Sequence, residues 1–106
     1  MKVKKQLAAR NKPMNIFAQI ATRIIREQES IIGPLAWNEA LKVAGLNVND
    51  KTSGEVSLNG NPGEVLDKLV ARYEHLFGAA SREICKDAAV SLTADLPLAE
   101  IPSSLR

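Results

Sequence analysis

The stretch IIGPLAW, residues 31–37, decides how the chain is read. Apart from Gly33, every residue in it is apolar or proline, yet Gly33-Pro34 in its middle is a turn signal. Turns ordinarily lie in water, so a chain-breaker inside so apolar a run needs a structural reason. Gly33 tolerates positive φ and can cap the end of a helix. Pro34 suits the first position of another, where its missing N–H costs nothing. The run therefore reads as a reversal between two helices, with Ile31, Ile32, Leu35 and Ala36 packing together across it.

Upstream, a first helix is expected over residues 13–31, with Pro13 in its first turn. Ile16, Phe17, Ile20, Ala21, Ile24 and Ile31 recur at three- and four-residue steps, and Ile25 and Ile32 widen the stripe. Downstream, residues 34–44 read as a second helix in which only Asn38, Glu39 and Lys42 are polar. A helix apolar around most of its circumference must be enclosed. A short chain supplies little cover, so a second copy is expected to complete it. The shared surface is expected to hold Ile24, Ile32, Leu35, Trp37 and Leu41. Trp37 is its best anchor, because large aromatics dominate interface energies; the alternative reading has Trp37 filling the monomer core. Gly45 ends this helix, with Leu46 expected to fold back onto Leu41 in a Schellman cap.

Residues 47–61 are rich in Asn and Gly, which marks a turn region. Inside it, Glu55-Val56-Ser57-Leu58 alternates polar and apolar, a short strand signal that needs a partner strand. That partner is a second copy of the chain, or the segment is an extended loop. A third helix starts at Asn61, with Asn61 as N-cap, Pro62 at N1 and Glu64 at N3. Its stripe is Val65, Leu66, Leu69, Val70, Tyr73, Leu76 and Phe77, and Gly78 ends it. A fourth helix is expected over 79–92, with Ala80, Ile84, Cys85, Ala88, Ala89 and Leu92 facing inward. The fold class is thus all-α: four helices, with a polar loop between helices 2 and 3 that has room for a short strand or hairpin. A basic arm (1–12) precedes the helical domain (13–93). An extended tail (94–106) follows, with Leu96, Leu98 and Ile101 strapping it to the body.

With 106 residues the chain fits one domain, and its 45% hydrophobic and 25% charged content is that of a globular protein. The net charge of +2 hides a polarity: residues 1–26 carry seven basic and no acidic side chains, whereas residues 27–106 carry seven basic and twelve acidic. Lys2, Lys4, Lys5, Arg10 and Lys12 are the candidate contacts for an anion or nucleic acid. Against that reading, the arm has no aromatic platform before Phe17, and the second helix is too apolar and too poor in Arg for a recognition helix. No apolar run reaches the roughly 18–20 residues that span a bilayer, and no apolar core follows the basic N-terminus as in a secretory signal. The single cysteine excludes an internal disulfide and suits a reducing compartment, so the cytoplasm is expected.

Catalytic chemistry finds little support in the residues. The one His, His75, and the one Cys, Cys85, lie on different helices. Cys85 falls on an apolar stripe, where a thiol is inert, and His75 suits a helix C-terminus. The Asn-rich loop fails the calcium-loop spacing, because Lys51 falls at a ligand position in either register. No Gly-Lys-Ser/Thr phosphate loop occurs. Glu27, Glu29, Glu39, Asp67, Glu74, Glu83 and Asp87 all read as solvated surface beside Lys or Arg. The chain is expected to be no enzyme, with no cofactor and no metal.

The run IIGPLAWNEALKVAGL (31–46), followed by GEVLDKLVARYEHLFGAAS (63–81), resembles small helical modules of bacterial signalling proteins, including some Ser/Thr kinases and regulators. Ile32, Gly33, Pro34 and Ala36 carry the Ile-Gly-Pro-x-Ala turn of those modules, and Leu66, Leu69 and Val70 the later helix. Trp37 and the longer 47–61 loop depart from the pattern. The resemblance implies an oligomerising or docking role in bacterial signalling, without catalytic residues. The function expected is therefore a non-catalytic self-association module, a homodimer, with a small nucleic-acid-binding regulator as the alternative.

Overall fold

A computed structural model describes residues 15–106 of the chain. Helix α1 (Ile16–Ile32) is capped by Asn15, whose side chain accepts from the Ala18 N–H at 2.9 Å. It ends at Gly33, where φ is +76° and the N–H donates to the Glu29 carbonyl at 2.8 Å. After the Gly33-Pro34 turn comes α2 (Leu35–Ala40), then strands β1 (Leu46–Asp50) and β2 (Glu55–Leu58), then α3 (Pro62–Phe77) and α4 (Ala79–Thr93). Two single 3-10 turns, Leu98–Glu100 and Ser103–Leu105, follow. The four helices and the reversal at Gly33 are those expected from the sequence; Pro13 lies outside the described residues.

The second helix differs from expectation in length and cover. It stops at Ala40, and residues 41–45 continue as irregular turns. Ala36, Trp37, Ala40 and Val43 all lie in the chain's own core, between α1 and α3. The apolar excess that suggested an outside cover is thus mostly spent inside. Because the helix ends early, the expected Schellman contact does not form: Leu46 is buried while Leu41 stands 59% exposed. Gly45 instead opens the hairpin, with its carbonyl accepting from the Asn59 N–H at 2.7 Å. Its φ is +91°, and an added Cβ would meet the Asn59 carbonyl oxygen at 2.9 Å, so only glycine fits.

The strand at Glu55–Leu58 finds its partner within the chain. It pairs antiparallel with β1, with Leu46 opposite Leu58 and Val48 opposite Val56. These four apolar residues form the inner face of the hairpin, which packs against α1. The connecting turn is held by Asp50, whose carboxylate accepts from the Thr52 and Ser53 N–H groups. Thr22 of α1 donates its hydroxyl to the Gly54 carbonyl, which fixes the hairpin tip to the helix.

The third helix begins as its sequence dictates: Asn61 Oδ1 accepts from the Glu64 N–H at 3.0 Å, with Pro62 in the first turn. Val65, Leu66, Leu69, Val70 and Tyr73 are buried, but Leu76 and Phe77 are not. In α4, Ser81 takes the inward position expected of Ala80, beside Cys85, Ala88 and Ala89. In α1, Gln28 rather than Ile31 faces the core. Leu96 and Ile101 lie against the core as expected of the tail, Leu105 is buried, and Leu98 points away at 69% exposure. Asp67 anchors the tail by accepting from the Ser104 N–H at 3.0 Å and from the Ser103 and Ser104 hydroxyls. That carboxylate, half-buried, is thus held by the tail as well as facing water.

Tyr73 is wholly buried and donates its hydroxyl to the Ala36 carbonyl at 2.6 Å, tying α3 to α2. Tyr73→Phe leaves that bond unmade and should cost about 1–3 kcal/mol in urea unfolding. An unchanged unfolding midpoint would show that the bond contributes nothing.

Candidate functional site

Two interhelical turns meet at one end of the molecule. Gln28, one turn before the end of α1, directs its side-chain amide to the Ser81 carbonyl at 3.4 Å and to the Cys85 sulfur at 3.5 Å. The C-terminus of α1 therefore lies beside the N-terminus of α4. Likewise the Tyr73–Ala36 bond and the Arg72–Glu39 ion pair, at 2.7 Å, hold the C-terminal half of α3 beside α2. The Gly33-Pro34 and Gly78 turns consequently share this end.

Large apolar side chains stand open there. Ile31 is 58% exposed, Leu35 42%, Leu76 43% and Phe77 37%. Leu76 follows Arg72 and Tyr73 by four and three residues, so it continues the α2-facing side of α3 past the last core layer. Residues 30–38 and 76–81, which build the two turns, contain no charged side chain. Ile31, Leu35, Leu76 and Phe77 thus leave apolar surface open beside two turns whose own residues are uncharged.

Two residues expected on a shared surface are not on it. Ile24 is 0% and Trp37 2% exposed, both enclosed by the chain's own core. Leu35 lies on the open end, and Ile32 is half-buried beside it, packed against the core. Leu41 is exposed but at the other end of α2. Ile31, Leu76 and Phe77, expected on core stripes, stand exposed at the open end instead. The signal that could have found it is the absence of charge around both Gly turns. Lys2, Lys4, Lys5, Arg10 and Lys12 lie outside the described residues.

Glu39 also departs from expectation. Expected on a solvated stripe, it is 7% exposed and bridges two cations. Its Oε1 accepts from Arg72 Nε at 2.8 Å, and its Oε2 from Lys42 Nζ at 3.3 Å. The Arg72 hydrogen bond, against the opposing effect of burial, holds the Glu39 carboxyl below the usual carboxylate range. Glu74 and Arg82 pair at 3.1 Å across the Gly78 turn, which raises the Arg82 pKa further.

Cys85 is fully buried, and desolvation pushes its thiol up to about 11. At neutral pH it is a protonated thiol and a poor nucleophile. His75 is exposed near the end of α3. Among the described residues, no group of three or more His, Cys, Asp or Glu side chains is placed to hold a metal ion, and no helix is long and apolar enough to cross a membrane. Comparison with known proteins gives no match: no family model, no curated protein and no solved structure matches the chain.

Proposed function

We propose that this chain is a non-catalytic interaction module that self-associates through its uncharged end. The observation that carries the reading is the set Ile31, Leu35, Leu76 and Phe77, open to water around two turns that lack any charge. Exposed apolar area of this kind is stabilised by a partner. A charge-free patch is compatible with its own copy, since a two-fold axis brings like against like with no repulsion. Four side chains make a small interface, so the dimer is weak and concentration-dependent. The resemblance of the Gly33-Pro34 turn to modules of bacterial signalling proteins suits such a role, and the lone thiol suits the cytoplasm.

The test places charge on the end without harming the fold. Ile31 and Leu76 both lie in the last turn of their helices, where a Lys complements the helix dipole. The double variant Ile31→Lys, Leu76→Lys should stay single at concentrations where the unmodified chain pairs, with an unchanged thermal melt extrapolated to low concentration. Pairing that persists in this variant would place the interface elsewhere.

A further inference from the structure

A groove of about 360 Å³ runs between the segment after α2 and the outer side of α3, lined by Lys42, Val43, Ala44, Lys68, Ala71, Arg72 and His75. Val43, Ala44 and Ala71 give it an apolar floor, while three cations and the chain's one histidine stand around it. Three of the nine Lys and Arg side chains of residues 15–106 gather at this one groove. Buried Glu39 holds two of them, Lys42 and Arg72, at the rim. Their side chains stay 57% and 36% exposed. Among the described residues, neither Lys68 nor His75 is in an ion pair.

We propose that this groove binds an acidic peptide segment of a partner protein, with an apolar side chain on the floor and carboxylates on the Lys42, Lys68 and Arg72 rim. This goes beyond self-association and uses residues separate from the uncharged end. Charge complementarity selects the occupant. The chain's own residues 1–14 carry only basic charge, so they are no complement to this rim. A nucleic-acid strand would engage the cations but gain nothing from Val43, Ala44 and Ala71. A short segment with both acidic and apolar side chains uses rim and floor together.

The experiment is an amide-resolved NMR titration of the full chain with a short peptide alternating Glu and Leu. Three other probes run alongside: a Gln/Leu peptide, an all-Glu peptide and oligothymidine. The expected result is shifts confined to residues 42–44 and 68–75, weakened by salt and weaker with either control peptide. Lys68→Glu should loosen the Glu/Leu peptide by about tenfold, since it replaces attraction by repulsion at a solvent-screened site. Absence of shifts at these amides would overturn the proposal, as would equal binding of the Gln/Leu peptide. Tighter binding of oligothymidine at the same amides would also overturn it, in favour of a phosphate site. Dimerisation is read at residues 30–38 and 76–81, so failure at one surface is separable from failure at the other.

Discussion

Trp37→Ala should remove a large share of the domain's stability while leaving no direct mark on association. The indole is 2% exposed and sits on a helix of six residues. So short a helix has almost no stability of its own, and packing holds it in place. Removing a buried Trp side chain costs about 3–5 kcal/mol, through lost transfer energy and the cavity left behind. A domain of this size commands about 5–15 kcal/mol in total. Urea unfolding followed by far-ultraviolet circular dichroism measures the loss without relying on the indole as reporter. A variant that unfolds near the parent midpoint, yet no longer pairs, would return Trp37 to the surface and refute its burial.

The second large effect is alkaline destabilisation. Burial raises the Cys85 thiol from an ordinary value of 9.0 to about 11. Burial likewise raises the Tyr73 phenol above its ordinary value of 10.0. Both groups are neutral when protonated, so the folded state keeps protons that the unfolded chain has lost. Their contribution is present in full below pH 9.0, the unfolded thiol value, and falls as pH rises through the folded value of about 11. The thiol alone accounts for about 2–3 kcal/mol of that decline, with the phenol adding to it at the upper end. Urea midpoints should hold steady to pH 9 and then drop steeply. Cys85→Ala should blunt the first part of the drop. A midpoint that stays flat to about pH 11 would contradict the sealed position of both groups.

Much of this architecture is legible in the sequence because it depends on neighbours along the chain. The cap Asn61-Pro62-Glu64 and the terminators Gly33 and Gly78 act within one turn, and the structure shows each in place. The core stripes of α1 and α3 follow from three- and four-residue spacing alone. What escaped depends on neighbours in space. Glu39 reads as surface because its partner, Arg72, lies far along the chain, and the inward place of Gln28 is likewise set by a distant partner, Ser81. Strand β1 escaped because its Asn-rich sequence has poor strand propensity, and only pairing with β2 makes it a strand. The end patch escaped for a third reason. Ile31, Leu76 and Phe77 keep the helical period, but each lies a turn beyond where the neighbouring helix can cover it. Periodicity says which face a residue occupies and nothing about how far the opposing element extends.

Self-association should run through the apolar end of the bundle, around the Gly33-Pro34 and Gly78 turns. Sedimentation velocity across a dilution series at high salt tests it most directly, because salt removes attraction by the basic and acidic surfaces and strengthens apolar contacts. The account predicts a concentration-dependent shift from single chain to dimer, with a dissociation constant on the order of micromolar to a hundred micromolar. A single species of one-chain mass at every concentration would contradict it.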